Sequence, residues 1–304
     1  MWDIIRAMTT VSRIRRIAWI VVLAAIAAIV YDKYTNVHPR RSDSQALEGN
    51  SAAGETVWVT GNGLRLKTRV YRSADAGEHP TLVVVLHGDS PFDAPSYQYV
   101  FARRAAEQIG GLIAAGVLRP GYTDDTGATS DGSRGEATGD NYTPTVVDAV
   151  AEVTRELKAK YAASHVILAG HSGGAAIAGD LIGRAPDVAE GALLVSCPCD
   201  VGAFRKHMAK KQMNPLWLAP VESLSPLNLI PSVPQTMHVR IVVGTEDSVT
   251  PVRITREYAA GLRARGVDVR VVEVPGAEHD IFLEPVVFDQ LKSLVKTMEG
   301  AAGN

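Results

Sequence analysis

The residues with the clearest chemical potential lie at positions 170–174, where the chain reads Gly-His-Ser-Gly-Gly. This matches G-x-S-x-G, a pattern in which a serine stands on a sharp turn between a strand and a helix. An apolar run at 166–169 precedes it, and a helix-compatible apolar segment follows it. Gly170 and Gly174 occupy the two positions where a side chain would collide with the strand or the helix. The pattern therefore predicts that Ser172 is a nucleophile.

A serine hydroxyl needs a base that takes its proton, and the base needs an acid that fixes its tautomer. Asp247 comes shortly after the apolar run 239–243, and His279 lies in a loop after the last apolar run. The order serine, aspartate, histidine is one that known triads use. We therefore expect Ser172, Asp247 and His279 to form a catalytic triad. Three other acids compete for the role of Asp247: Glu246, Asp280 and Asp200.

A serine that attacks an acyl carbon generates an oxyanion, which two N–H donors must stabilise. Gly173, the next residue after the serine, is expected to supply one donor. The second is expected from the backbone of Asp89, in the loop that follows the apolar run 82–86. His171 and His87 flank these donors and are predicted to contact the substrate, although His87 is also a candidate for a structural hydrogen bond.

The chain has two cysteines, Cys197 and Cys199. They are too few for a structural zinc site, and their spacing is not C-x-x-C. A disulfide between them and a pair of buried free thiols both remain open. Four aspartates in or near the segment 121–141 lack the spacing of a calcium loop and are expected to be solvated. They are Asp124, Asp125, Asp131 and Asp140. We expect no metal and no cofactor.

Distant residues can meet only on a scaffold, and the hydrophobic pattern predicts one. Alternating residues at 55–60 and 64–70 flank Gly-Asn-Gly and predict a β-hairpin. Six unbroken apolar runs predict strands that are buried on both faces: 82–86, 112–118, 166–169, 192–196, 239–243 and 269–274. Five segments predict helices: 97–108, 144–161, 173–184, 251–265 and 285–298. This succession predicts an α/β fold with a mostly parallel eight-stranded sheet, an antiparallel N-terminal hairpin and helices on both faces.

Two stretches interrupt the alternation of strands and helices. One is the polar segment 121–141, and the other is the proline-rich segment 200–237, which contains an amphipathic piece at 204–212. Loops at the carboxyl ends of parallel strands shape ligand sites, so we expect the second stretch to be a short lid. Thr143 and Thr250 each precede a proline and are predicted helix caps.

Composition excludes several classes of protein. The chain is 46% hydrophobic and 21% charged, which is typical of a globular domain. Its 31 basic and 33 acidic residues create no overall positive field, so nucleic acid is not an expected partner.

The N-terminus carries the one membrane signal. Arginines precede an apolar run at 17–30, which as a helix would be about 21 Å long, shorter than a hydrocarbon core of roughly 30 Å. We therefore expect residues 1–31 to be a signal peptide, with a membrane anchor as the alternative. Residues 32–54 are expected to be a polar tether and 55–304 the folded domain. The prediction is an exported or anchored protein that faces outside the cytoplasm and meets the membrane only through its N-terminal segment.

These motifs resemble the α/β-hydrolase superfamily, in particular single-domain proteins similar to the hydrolase part of prolyl-oligopeptidase-type serine peptidases. The resemblance covers roughly residues 56–298 and implies that Ser172, Asp247 and His279 carry catalysis beside the loop of His87. Such peptidases generally have a large N-terminal β-propeller, which this chain lacks. The difference favours a small ester as substrate over a peptide. An exopeptidase or amidase, and a catalytically silent envelope protein that uses the fold for binding, are the alternatives.

Overall fold

A computed structural model of the chain describes residues 54–90 and 93–302. The predicted signal peptide or anchor, residues 1–31, lies outside the described residues. Residues 32–53 of the predicted tether lie outside them too. Within the described ranges, no helix combines the length and the apolar character that crossing a membrane requires.

The sheet has eight strands in the order β1-β2-β4-β3-β5-β6-β7-β8. They are β1 (Glu55–Gly61), β2 (Leu64–Arg72), β3 (Thr81–Leu86), β4 (Leu112–Val117), β5 (His165–His171), β6 (Gly191–Val195), β7 (His238–Gly244) and β8 (Asp268–Val274). β2 pairs antiparallel with β1 and with β4, and every other pairing is parallel. The predicted fold class is confirmed, and the parallel strands bring their carboxyl ends to one edge of the sheet.

Seven α-helices occur in the described ranges: α1 (Tyr97–Gln108), α2 (Pro144–Lys160), α3 (Gly173–Arg184), α4 (Val201–Lys211), α5 (Pro226–Leu229), α6 (Val252–Ala264) and α7 (Pro285–Ala302). β3 shows how they cover the sheet. Leu82, Val84 and Leu86 pack with residues of α2, α3 and α6, whereas Val83 and Val85 pack with residues of α1 and α7. Because successive side chains of a strand point to opposite faces, an unbroken apolar run is needed to fill both layers.

The predicted caps have different outcomes. Thr143 caps α2, because its hydroxyl accepts a hydrogen bond from the Val146 N–H. Thr250 does not cap α6, whose N-cap residue is Pro251 and has no side-chain cap bond. The Thr250 hydroxyl instead donates to the carboxylate of Asp247. That hydroxyl therefore serves the candidate site described below rather than the helix.

The predicted lid segment is helical and folds onto the body of the domain. It contains α4 and α5 with two 3₁₀ turns, Pro215–Leu218 and Ile230–Ser232. Phe204 and Met208 of α4 pack against Ile254, and Pro226 lies against the backbone of α3 at Gly179. The insertion thus begins after the carboxyl end of β6 and packs against α3 and α6.

Candidate active site

The serine at position 172 stands on a strained turn between β5 and α3. Its backbone has φ 50° and ψ −119°, a left-handed region that residues with a side chain rarely adopt. A Cβ atom on Gly170 would lie 2.4 Å from the Gly174 carbonyl oxygen, and one on Gly174 would lie 2.3 Å from that of Leu86. A side chain at either position would collide with the backbone, so both residues must be glycine, as the sequence pattern predicts.

The structure brings the three predicted triad side chains together. Ser172 Oγ lies 3.0 Å from His279 Nε2, and His279 Nδ1 lies 2.9 Å from Asp247 Oδ2. Both distances are within hydrogen-bonding range, although 107 residues separate Ser172 from His279 in the chain. Since a carboxylate only accepts, His279 Nδ1 carries the proton and Nε2 is free to accept the serine proton. This is the tautomer that a general base requires.

Asp247 is buried and receives hydrogen bonds at both carboxylate oxygens. Oδ1 accepts from the backbone N–H groups of Val249 at 2.9 Å and Thr250 at 2.7 Å, and Oδ2 accepts from Thr250 Oγ1 at 2.7 Å. Burial opposes ionisation, but the bonds from His279 and Thr250 outweigh it and hold the pKa of Asp247 below its usual value. The acid therefore stays ionised at neutral pH.

Ser196 holds the candidate base from the other side. Its backbone is left-handed, with φ 50°, and its hydroxyl donates to the His279 carbonyl oxygen at 2.8 Å. No sequence pattern indicates this role, because Ser196 is simply the last residue of a predicted strand. The strain at this residue is stored beside the site, as is common for residues that orient functional groups.

A chain of hydrogen bonds links the loop at Gly88 to the loop at His279. The Gly88 N–H donates to the Tyr97 hydroxyl, which lies 2.9 Å from His171 Nδ1. His171 Nε2 lies 3.2 Å from the His279 carbonyl oxygen, which can only accept. The proton of neutral His171 is therefore on Nε2, and its Nδ1 accepts from Tyr97. Both ring nitrogens of His171 therefore have protein partners, and its predicted contact with a substrate stays a prediction.

His171 makes the stability of the folded protein depend on pH. Burial, and then the neighbouring charge of His279, lower the pKa of His171 to about 4. An imidazole in the unfolded chain titrates near 6.5. As the pH falls from 6.5 to 4, the unfolded state binds a proton that the folded state does not, so folding becomes less favourable.

We therefore expect His171→Gln to remove part of the acid sensitivity. Between pH 7 and pH 5, the wild-type protein should lose about 2 kcal/mol more of its unfolding free energy than the variant does. Urea unfolding at the two pH values measures the difference. Equal losses in the two proteins would mean that position 171 is not a buried neutral imidazole.

The two predicted oxyanion donors, Gly173 and Asp89, belong to segments that pack against each other. A Cβ on Gly88 would be 3.0 Å from Ser172 Cβ, and one on Gly173 would be 2.3 Å from Asp89 Oδ1. These contacts bring the loop that contains Asp89 against the nucleophile turn. No described residue accepts a hydrogen bond from the N–H of Gly173 or of Asp89. Within the described part of the chain, both N–H groups thus lack a protein acceptor, as donors to an oxyanion must.

A buried ion pair holds the Asp89 side chain in place. Asp89 Oδ1 accepts from Arg119 Nη1 at 2.9 Å, and Oδ2 accepts from the Tyr142 hydroxyl and the Gly139 N–H, each at 2.7 Å. Desolvation disfavours the charged guanidinium, but Tyr122, Asp89 and Tyr142 outweigh it and raise the pKa of Arg119. Arg119 therefore stays charged, and sequence reasoning missed it because nothing in its neighbourhood marks it.

The prediction that His87 contacts substrate is wrong. Its ring is fully buried. Nδ1 lies 2.7 Å from the Gly88 carbonyl oxygen, and Nε2 accepts from the Arg119 N–H at 3.1 Å. Burial and the charge of Arg119 lower the pKa of His87 well below its usual value, so the ring is neutral. His87 is a structural hydrogen-bonding residue of the donor loop.

Among the described acids, Asp247 is bonded to Nδ1 of the candidate base, and none of its three competitors is. Asp200 caps α4 by accepting from the Ala203 N–H at 2.9 Å, and Glu246 is exposed. Asp280 is exposed too, although it forms with His171 and His279 a group whose polar atoms lie within 4.8 Å. The ring nitrogens of both histidines already have protein partners. This group therefore does not fit a metal site.

Two further predictions concern residues near the site. Cys197 and Cys199 form a disulfide, which settles the alternative that the sequence left open. The expectation that Asp124 is solvated is wrong, since it is buried and accepts from Lys67 Nζ at 2.6 Å and from the Tyr99 hydroxyl at 3.0 Å. Lys67, on β2, provides the positive charge that pairs with the Asp124 carboxylate. The spacing of the aspartates does not predict this pair.

The fold is that of the α/β-hydrolases, as comparison with solved structures shows. Acylaminoacyl peptidase from Pyrococcus horikoshii matches with TM-score 0.62 and 12% identity, covering 84% of this chain and 43% of that chain. A puromycin-hydrolyzing peptidase from Mycobacterium tuberculosis matches with TM-score 0.64 and 17% identity, over 81% and 39%. An esterase from Pyrobaculum calidifontis matches with TM-score 0.60 and 16% identity, over 85% and 88%.

The chain thus spans less than half the length of these two peptidases and most of the length of the esterase. No protein-family model matches the sequence, and no curated protein matches it. At these identities the likeness concerns the fold, so the chemistry has to be argued from the side chains themselves.

Proposed function

We propose that this protein is a serine hydrolase that cleaves a carboxylic ester through an acyl-serine intermediate. The observation that carries the proposal is the alignment of Ser172 Oγ, His279 and Asp247 at hydrogen-bonding distances of 3.0 Å and 2.9 Å on a strained turn. The tautomer of His279 and the ionised Asp247 are those that activate a serine. Esterases and serine peptidases among the structural neighbours add support.

The proposed reaction has two halves. Ser172 Oγ attacks the ester carbonyl carbon while its proton passes to His279 Nε2, and the Gly173 and Asp89 N–H groups bind the oxyanion. The C–O bond to the alcohol then breaks, and His279 returns the proton to the departing alcohol. Water, deprotonated by His279, attacks the acyl-serine carbonyl in the second half. The bond to Ser172 breaks, and the proton returns to its Oγ.

An ester is favoured over a peptide by the share of each structural neighbour that this chain matches. This protein matches 88% of the length of the esterase but 43% of the acylaminoacyl peptidase. The remaining length of the peptidase has no counterpart in this match. We therefore propose that the substrate is a small ester. The alternative, an exopeptidase or amidase, is tested by the comparison of substrates below.

A fluorophosphonate probe and a matched pair of chromogenic substrates test the proposal. We expect the probe to label Ser172, as seen by peptide mass mapping, because it reacts with an activated serine. We also expect a short p-nitrophenyl ester to be cleaved and the corresponding p-nitroanilide to be cleaved far more slowly. An unlabelled Ser172 in folded protein would remove the mechanism, and a preference for the anilide would assign the protein as an amidase.

We also propose that the protein works outside the cytoplasm. Two features support this: the basic and then apolar N-terminal sequence, and the disulfide between Cys197 and Cys199. Disulfides persist in oxidising compartments and are rare in the cytosol. Fusion of residues 1–50 to a reporter that is active only after translocation tests this location, and a silent reporter would argue against it.

A further inference from the structure

The helical insertion carries an exposed apolar tip that the proposed chemistry does not use. Met213, Leu216 and Leu218 are 90%, 74% and 60% exposed. Only one other large apolar side chain in the described residues is comparably exposed, Trp58 at 41%. Scattered apolar residues are normal on a protein surface, whereas three within six positions form a patch that calls for a partner. We call these three residues the apolar tip.

The apolar tip has a defined shape. Trp217, between Leu216 and Leu218, packs edge-to-face on Phe204 with ring centroids 5.7 Å apart, and its indole N–H donates to Gln212 Oε1 at 2.8 Å. Arg205 lies over the same indole and donates to the Ala219 carbonyl oxygen at 3.3 Å. The turn is therefore fastened to α4 by Trp217, which leaves its neighbours facing solvent. Exposure of the tip follows from this packing.

Basic residues border the apolar tip. The segment 201–221 contains Arg205, Lys206, Lys210 and Lys211 and has no aspartate or glutamate. Arg205 is buried, and Lys211 donates to Ser248. Lys206 and Lys210 are exposed, and no ion pair joins either of them to a described residue. At a spacing of four, Lys206 and Lys210 lie on one side of α4, which ends at Lys211. The Met213 N–H donates to the Lys210 carbonyl oxygen at 3.3 Å, so the apolar tip begins next to this side of the helix.

We propose that the apolar tip and these two lysines form a docking surface for an anionic lipid membrane. Apolar side chains that insert beside a row of lysines are the pattern by which interfacial helices bind such surfaces. Each lysine near an anionic surface contributes about 1 kcal/mol, and the apolar tip adds burial that is independent of charge. α4 starts from the carboxyl end of β6, whose Val195 carbonyl accepts from the Ser172 N–H at 2.8 Å. The insertion that carries the docking surface therefore leaves the sheet at the end of the strand that neighbours the nucleophile turn.

The test uses a probe at the tip itself, because residues 1–31 are predicted to enter a membrane independently. A nitroxide is attached to Leu216→Cys in the full chain, where the native cysteines are disulfide-bonded. With phosphatidylglycerol-containing vesicles we expect this label to gain accessibility to oxygen and to lose accessibility to a polar nickel chelate. A label on exposed Ala74→Cys, which precedes β3 at the opposite edge of the sheet, should show no change.

Charge variants provide the control. In the labelled chain, Lys206→Gln with Lys210→Gln should raise the lipid concentration for half-maximal immersion by roughly tenfold to thirtyfold. Lys292→Gln with Lys296→Gln removes the same charge from exposed positions of α7. This pair should leave the lipid concentration for half-maximal immersion unchanged. The proposal is overturned if the label at 216 stays in water while the chain is vesicle-bound, or if both charge pairs behave alike. Spin–spin broadening without vesicles would instead assign the tip to a second copy of this chain. None of these readouts depends on Ser172.

Discussion

Replacing Ser172 by alanine is expected to lower kcat on a short p-nitrophenyl ester by about 10⁴-fold to 10⁶-fold. In the proposed mechanism the hydroxyl oxygen of Ser172 forms the acyl bond, and no other hydroxyl in the described residues is bonded to His279 Nε2. A residual rate from the oxyanion donors and substrate binding should persist, so KM should change little. Steady-state kinetics on the purified variant measures the effect.

A matched serine elsewhere controls for loss of folding. Ser293→Ala changes a half-buried residue on α7 and should leave kcat within twofold or so of the wild type. The thermal unfolding midpoints of both variants should remain close to that of the wild type, since Ser172 donates little packing. If Ser172→Ala folds and retains full activity, another group must be the nucleophile.

Asp247→Asn is expected to lower kcat by about 10⁴-fold, although it changes the side-chain shape very little. Two backbone N–H groups, from Val249 and Thr250, donate to Oδ1 and fix an acceptor at that position. The amide NH₂ must then occupy the position of Oδ2 and face His279 Nδ1. Nδ1 would have to accept, which moves the proton to Nε2 and blocks removal of the serine proton.

The competing acid provides the comparison for this variant. Asp200 follows β6 and caps α4, so Asp200→Asn should retain the cap and leave kcat within a few-fold of the wild type. Measuring both variants on one ester separates the orienting acid from its competitor. A larger loss in Asp200→Asn than in Asp247→Asn would reverse the assignment.

Tertiary structure decided how the triad is supported. Tyr97, Ser196 and Arg119 join in bonds to the loops around Ser172, yet each is an ordinary residue of a helix, strand end or loop in the sequence. Thr250 shows the same limit, because a threonine before a proline predicts a cap while the fold directs its hydroxyl to Asp247. The partner of a polar side chain depends on which distant segment packs beside it, and local pattern does not record that.

The sequence by itself determined the parts that depend on local sterics and periodicity. The two glycines around Ser172 are required because backbone atoms approach within 2.3 to 2.4 Å of where their side chains would be. The apolar runs determined the parallel sheet. A strand that is buried on both faces needs apolar residues at every position and cannot alternate them with polar ones. Only the folded chain decided which side chains are buried, paired or exposed. Examples are the fully buried His87, the pair of Asp124 with Lys67 and the exposed apolar tip. Burial is a property of packing between segments, so residue type and spacing alone do not fix it.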